Sequence, residues 1–388
     1  MTLARMRPLM PKLGITRIAS ITGLDRIGVP VVSVHRPNSR SLAVSQGKGA
    51  TLIAAQVSGL MESIEGHHAE HINAPLFIGS HREVRERHAV VEVESLPRLA
   101  TSSFHADLPM LWIAGTDLGT GKRLLVPYEM VHLDFRLPLP TGSGAFLMSS
   151  NGLASGNHML EAISHAICEL VERDANTLWH LSGAAAQSER RLDLASVDDD
   201  TCRSVIERFD RANVDVLVWD TTSDLGLCSF LCTILERDSG TLWPAEAVAG
   251  SGCHPRRSIA LLRALTEAAQ GRLTNISGAR DDLSGAMFDE RQARAREESL
   301  RVIISKAPRV AFRDTADVAH DDFDADVQWQ LQRLAAAGLS EAIAVNLTRP
   351  ELQVPVVRMI VPGLESMSEL RGFVPGRRAR RAMARLAQ

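Results

Sequence analysis

The sequence predicts an α+β or mixed α/β chain in which helices pack on β-sheets. Strand-like runs rich in β-branched residues recur along the chain, and three times a Gly-containing loop opens a long helix bearing acidic residues. The chain has 388 residues, 45% of them hydrophobic, enough for a sizeable core in one large domain or two smaller ones.

The first strands are expected at Arg17 to Thr22 and Val29 to Val34, around a turn from Gly23 to Gly28. Polar loops follow at Arg36 to Arg40 and Ser45 to Gly49. A helix is then expected from about Thr51 to His71, where Ile53, Val57, Leu60 and Ile64 recur at helical spacing. Met110 to Gly115 reads as a strand. A second Gly-rich loop, Ser149 to Asn157, opens a helix from about His158 to Leu181, with Asn157 as the expected N-cap. Strand-like Asp215 to Trp219 and Phe230 to Leu235 lead to a third unit. There Ala249 to Pro255 forms the loop and the helix runs from about Ser258 to Leu273. The charged stretch Ala279 to Asp326 is expected to be a mobile surface region. Strands at Ala342 to Leu347 and Val354 to Val361 precede a basic tail, Arg377 to Arg385. No fixed-period repeat and no low-complexity linker divides the chain.

Composition narrows the function classes. Charged residues make up 23% with a net charge of -3, so no global basic field argues for nucleic acid. Aromatics are 4%, with Tyr128 the single tyrosine, too few for a base-stacking platform. No apolar run is long enough to span a membrane, and Met1 to Leu13 lacks the uninterrupted apolar stretch of a signal peptide. Five cysteines, an odd number in a long chain, fit a reducing compartment, and a cytoplasmic location is expected. Their spacing matches no zinc site, and no base is placed beside Cys253 to make it a nucleophile.

The chemistry-bearing residues are carboxylates. Glu62 and Glu65 sit three apart, on one face of the first helix, after a largely apolar stretch. The alternatives are a solvated helix edge or a cation between them. In the second helix, Glu161, His165, Glu169 and Glu172 fall within one quadrant of a mostly apolar run. Hard divalent cations prefer such oxygens, and a ladder of salt bridges to arginines such as Arg173 is the alternative. His165 reads as a packed helix residue. The third helix carries Arg263, Glu267 and Gln270 on one side. Arg272 points about 140° away from Glu267 and reaches the same place only if the helix ends or bends near Gly271. Lys48 lies between Gly47 and Gly49 but does not make a P-loop, because Leu42 stands where the first glycine belongs and Gly49 follows the lysine. It is either a surface turn or a point charge for phosphate.

Taken together, Ser45-Gln46-Gly47-Lys48-Gly49, Ser58 to Glu65, Asn151 to Asn157, Cys168 to Asp174 and Ala264 to Arg272 resemble the YcaO family in order and spacing. Gly14 to Arg17, Gly23 to Arg26 and Val361 to Glu365 are similar to it as well. The resemblance implies the YcaO-type fold, with sheets packed by helices and a non-P-loop ATP site. It implies Mg²⁺ ligands at Glu62, Glu65, Glu169 and Glu172, and a phosphate-side loop with Ser45 and Lys48. It further implies nucleotide contacts from Asn157, Glu161, Glu267, Gln270 and Arg272, with Lys48 and Arg272 as the catalytic cations. The implied reaction is ATP-dependent phosphorylation of a peptide amide oxygen, followed by loss of phosphate.

Many azoline-forming members end in alternating prolines, whereas this chain ends Phe373-Val374-Pro375-Gly376 and then its basic tail. The resemblance is therefore to stand-alone members paired with a TfuA-type partner, and implies thioamidation of a peptide or protein substrate. An azoline-forming cyclodehydratase and a non-catalytic accessory factor for ribosomal protein methylthiolation are the alternatives. With no leader-peptide-binding domain read before Gly14, substrate delivery is expected to use a TfuA-like or leader-binding partner, or another surface, and a homodimer stays open. The expected division is a β-rich segment at 1–44, a catalytic core at 45–376 and the basic tail at 377–388. The tail reads either as a solvated helix or as a dock for an acidic peptide or partner.

Overall fold

A computed structural model describes residues 1–238, 247–279 and 290–386. The expected strands and helices form within one to four residues of their predicted ends. Ten helices are described: α1 (Thr2–Met6), α2 (Leu52–Glu70), α3 (His81–Val84), α4 (Met159–His180), α5 (Gly183–Ser188), α6 (Asp200–Arg211), α7 (Arg257–Ser277), α8 (Glu290–Ile304), α9 (Phe323–Ala336) and α10 (Arg377–Leu386). None of them is long and apolar enough to cross a membrane.

The strands make two three-stranded antiparallel sheets, a six-stranded sheet and a short pair. The first sheet orders β1 (Arg17–Ser20), β2 (Val31–His35) and β3 (Val44–Lys48). The six-stranded sheet uses β4 (Leu76–Gly79), β5 (Met110–Asp117), β6 (Arg123–Pro127) and β7 (Leu153–Ser155). Its last two strands, from the end of the chain, are β13 (Ile343–Asn346) and β14 (Val356–Ile360), in the order β4-β5-β13-β14-β7 with β6 also on β5. Between these in sequence, β8 (Leu192–Asp193) pairs in parallel with β12 (Val310–Ala311), and β9 (Val214–Asp220), β10 (Ser229–Glu236) and β11 (Val248–Cys253) form the second antiparallel sheet.

Two of the three Gly-containing segments expected as loops, Ser45 to Gly49 and Ala249 to Pro255, are largely strand, and the third, Ser149 to Asn157, holds a short strand within its loop. β3, β7 and β11 each run into, and pack beneath, the helix that follows. Glycine is poor in strands by propensity, so pattern reading places it in a turn. Here it is required by close approach. A Cβ on Gly47 would lie 2.0 Å from the Ala55 carbonyl oxygen and 2.1 Å from the Gly59 nitrogen. On Gly250 it would lie 2.2 Å from the Ala268 nitrogen, and on Gly252 2.2 Å from the Ala260 oxygen. Strand and helix backbones therefore touch, with no side chain between them.

α2 caps the first sheet, α7 covers the second, and α4 lies between β7 and β14 on one side and β11 on the other. β3 is shared: Gly47 faces α2, while Gln46 and Lys48, on the opposite face, meet α7. Apolar side chains from these layers form one core around the six-stranded sheet and α2, a second under α6 and α7, and a third between α4, α9 and β14. A deeply buried ion pair locks the entry to α2's far end. Glu70 receives Arg36, Ser39 and Ser41, and despite its burial these donors hold its carboxyl down at about 2.

Four local expectations are corrected. The N-cap of α4 is His158, whose Nδ1 accepts the Leu160 N–H at 3.2 Å, and Asn157 lies one residue before it. α7 continues as one helix past Gly271 to Ser277. The charged stretch contains α8, and its part at 280–289 lies outside the described residues. The basic tail is a docked helix. Arg378 makes paired bonds to the buried Asp174 of α4 and to Asp224, and Glu365 accepts the backbone N–H groups of Gly376 and Ala379. Its last residues, 387–388, lie outside the described residues.

Candidate active site

Three helices, each preceded by a short strand, deliver carboxylates to one place. α2 brings Glu62 and Glu65, α4 brings Glu169 and Glu172, and α7 brings Glu267. The neighbourhood shows in their ionisation. Burial, then the charges of Glu62 and Glu169, push Glu65 up to about 8, although Ser155 donates its N–H at 2.8 Å and its hydroxyl at 2.7 Å to Oε1. Burial also raises Glu169, with Glu172 adding to it and Arg173 opposing. The Ser251 hydroxyl on β11 spans the other side, lying 2.8 Å from Glu172 Oε1 and 3.2 Å from Glu267 Oε1. Glu62 is the exposed member, at the rim.

Cations meet this acidic surface. Lys48 Nζ lies 2.5 Å from Glu267 Oε2. Glu267 is held at about 2, because Lys48 and Arg173 outweigh the burial that would raise it. Arg173 Nη1 lies 3.4 Å from Glu172 and 3.5 Å from the Ser251 hydroxyl. Arg263 reaches His165 Nε2 at 2.9 Å, and burial with the charges of Arg263 and Lys48 takes that imidazole down to about 3, so it is neutral. Arg358 of β14 is 2% exposed, and burial lowers it to about 10 even with Glu169 opposing. Gln270 donates to the Gln46 carbonyl at 3.1 Å, tying α7 to β3. Ser45 sits on β3 opposite Val34. At the N-terminal end of α4, Glu161 accepts the Asn157 backbone N–H at 2.7 Å and its side-chain amide at 3.1 Å.

Arg272 is the residue the structure does not bring in. Because α7 stays helical past Gly271, its guanidinium emerges on the far side. There it binds Asp25 at 2.8 Å and Glu236 at 2.6 Å. Arg173, Arg263 and Arg358 stand among the carboxylates in its place. Arg173 was legible only as a salt-bridge partner. Arg358, within an apolar strand run, gave no signal, and neither did Ser155 or Ser251.

The donor set fits a hard divalent cation with phosphate. Glu172 Oε2 is buried without a hydrogen-bond partner, as are Nε of Arg173 and Nε and Nη1 of Arg358. Buried polar atoms left over in both signs match a ligand carrying cation and anion together. Among the described residues, no three His, Cys, Asp or Glu side chains form a ready metal cage. Mg²⁺ does not ask for one, since it typically uses one or two carboxylates, water and substrate phosphates.

The ionisation of Glu65 gives a prediction. A carboxyl whose folded pKa lies above its unfolded value favours folding at low pH, and that contribution disappears as pH rises through the folded value. Glu65→Gln keeps an oxygen for Ser155 and removes the charge. The metal-free variant should match the wild type near pH 4 and be more stable by about 2 kcal/mol at about pH 9 in thermal denaturation. Equal stability at both pH values would mean that Glu65 is not crowded by like charge.

The fold and site define a mixed α/β protein with a carboxylate-rich, arginine-backed centre suited to a metal-bound polyphosphate. The family model described as "YcaO cyclodehydratase, ATP-ad Mg2+-binding" matches residues 46–365, so the chain belongs to the YcaO family. ATP and Mg²⁺ are thus the cofactors of its family. A Rhizobium leguminosarum bv. trifolii protein named for its place in the tfuA 3' region, and otherwise uncharacterized, is 36% identical over 94% of this chain and 87% of its own length. An uncharacterized Methanothermobacter thermautotrophicus protein is 35% identical, over 92% of this chain and 91% of its own. Among solved structures, YcaO from Methanopyrus kandleri, bound with AMPPCP and Mg²⁺, shares the fold with a TM-score of 0.72 at 24% identity, over 96% of this chain and 93% of that one. A heterocyclase in complex with substrate and cofactor gives a TM-score of 0.76 at 23% identity. It covers 94% of this chain, which spans 52% of the heterocyclase.

Proposed function

We propose that the protein uses Mg-ATP to phosphorylate a backbone amide oxygen of a ribosomally made peptide or protein, for thioamidation. The observation that carries this reading is the meeting of Glu65, Glu169, Glu172 and Glu267, from three helices, around buried arginines and Lys48. Glu62, Glu65, Glu169 and Glu172 would hold Mg²⁺. Ser45 and Lys48 would face the phosphates, with Asn157, Glu161, Glu267 and Gln270 around the nucleotide. When bound, Mg-ATP supplies a phosphoryl group that turns the amide oxygen into a good leaving group.

The protein's share of such chemistry is positioning and charge neutralisation rather than a nucleophile. The buried cysteines agree, since burial raises the Cys253 thiol well above its ordinary value, with Cys168 adding to it. Arg173 and Arg358, held in place by packing, set positive charge where phosphate charge develops. The neutral His165 leaves the carboxylates free for metal. In this reading the protein works in the cytoplasm, where ATP is available.

Thioamidation, with a TfuA-like partner, is favoured by the relative whose name places it in a tfuA region. The family description as cyclodehydratase favours azoline formation as the second reading. Mass spectrometry of a peptide encoded beside this gene, incubated with the protein, ATP and sulfide, separates the two. Exchange of one oxygen for one sulfur is the expected result, and loss of one water would mean azoline formation. An unmodified peptide with no ADP released would count against both.

A further inference from the structure

We infer that the cavity walled by Trp179 and Trp219 is the acceptor subsite of this centre, receiving a peptide amide flanked by an aromatic or large apolar side chain. The inference rests on the reading in the preceding section and names what that site accepts. The cavity has a volume of about 620 Å³, within the usual range for small-ligand sites. Its inner end is Arg173, Ser251 and Glu267, which already belong to the carboxylate centre. Beyond these, Leu231, Leu300 and Ile303 stand beside the two indoles, and Arg296, Lys306 and Glu369 also line the cavity. The Trp179 and Trp219 rings lie 5.5 Å apart between centroids, tilted by 55°; Trp219 is buried, and Trp179, the less buried of the two, is the one open to a third flat or apolar group.

Position along α4 selects the peptide over the nucleotide base. Glu161, Glu169, Glu172, Asn176 and Trp179 fall within about 80° of one another around the helix, so they form one stripe. At about 1.5 Å per residue, Glu161 and Trp179 stand about 27 Å apart along the axis. With Asn157 and Glu161 contacting the nucleoside end, and Glu169 and Glu172 holding the metal, as proposed above, the terminal phosphate would lie toward Asn176 and Trp179. The amide to be phosphorylated must come from that side. In the same wall, Asn176 Oδ1 and Trp179 Nε1 are buried and have no hydrogen-bond partner. One acceptor and one donor are what a single peptide group needs for its N–H and its carbonyl.

The test uses the full chain labelled with 5-fluorotryptophan and followed by ¹⁹F NMR, with Trp179 and Trp219 signals assigned from Trp179→Phe and Trp219→Phe. The probes are N-acetyl-phenylalanine methylamide, N-acetyl-glycine methylamide, adenosine, and Mg²⁺ with a non-hydrolysable ATP analogue. For amides this small, binding is expected in the millimolar range. The phenylalanine amide should shift Trp179 and Trp219 and leave Trp112 and Trp329 in place. The glycine amide should shift the first pair at least about fivefold less at equal concentration, and adenosine should not move it. Adenosine moving both signals, the two amides acting equally, or the phenylalanine amide moving neither would overturn the inference. Calorimetry of the ATP analogue on the same sample keeps the two readings apart. Nucleotide binding without amide binding sinks this subsite alone, whereas no nucleotide binding sinks the function on which it rests.

Discussion

Glu169→Gln is expected to lower Mg-nucleotide affinity by at least about a hundredfold, and Glu62→Gln by at least about tenfold, while both proteins stay folded. The difference follows from placement. Glu169 is held in a buried stripe of α4, next to Glu65, Glu172 and the buried Arg358, so its charge is little screened. Glu62 stands at the exposed rim, where water weakens its pull on a cation. Neither substitution leaves a hole, because glutamine is isosteric with glutamate. Removal of a charge from a crowded acidic cluster should not destabilise the metal-free chain. Isothermal titration with Mg²⁺ and an ATP analogue gives the affinities, and thermal denaturation confirms the fold. Unchanged affinity in both variants would remove these carboxylates from the nucleotide site.

Gly47→Ala and Gly250→Ala are expected to cost about 4 kcal/mol or more each. A methyl at either position would lie within 2.2 Å of helix backbone, and backbone cannot move aside as a side-chain tip can. α2 would separate from β3, or α7 from β11. Such a separation also moves Lys48 away from Glu267, or Ser251 away from Glu172 and Glu267, so nucleotide affinity should fall with stability. Gly23 is the control, since a Cβ there meets nothing within 4 Å and its backbone needs no positive φ. Gly23→Ala should change stability by less than about 0.5 kcal/mol. Equal midpoints for Gly47→Ala and Gly23→Ala in chemical denaturation would refute the close-packing explanation.

These glycines also mark what the sequence could and could not convey. Helical spacing in Ile53 to Ile64 and the acidic stripe of Glu161, Glu169 and Glu172 are local, and α2 and α4 form where that spacing places them. The segments around Gly47, Gly250 and Gly252 look like loops because a strand that needs glycine does so for the sake of another element. That element's distance cannot be read from neighbouring residues. Arg272 shows the opposite case. Angular arithmetic already put it 140° from Glu267, and the unbroken helix places it on Asp25 and Glu236. Arg358 was illegible for a different reason. One arginine in an apolar strand run reads as an outward-facing residue, and only the packing of α4 against β14 turns it inward, beside Glu169.

The tail carries a similar lesson. Its charge alone suggested a solvated helix or an acidic partner, yet Arg378 binds a buried aspartate on the same helix as Glu169 and Glu172. Burial still raises Asp174 to about 6, against the pull of Arg378. The end of the chain is therefore mechanically joined to α4, two residues beyond Glu172.

Crystals grown with Mn²⁺ and a non-hydrolysable ATP analogue offer the most direct measurement, because Mn²⁺ is visible by anomalous scattering and takes the same oxygen ligands as Mg²⁺. Anomalous peaks between the phosphates and the carboxylates of Glu65, Glu169 and Glu172, with Lys48 beside the phosphates, are the expected result. Nucleotide and Mn²⁺ bound at a separate place, with those carboxylates still facing one another unbridged, would contradict it.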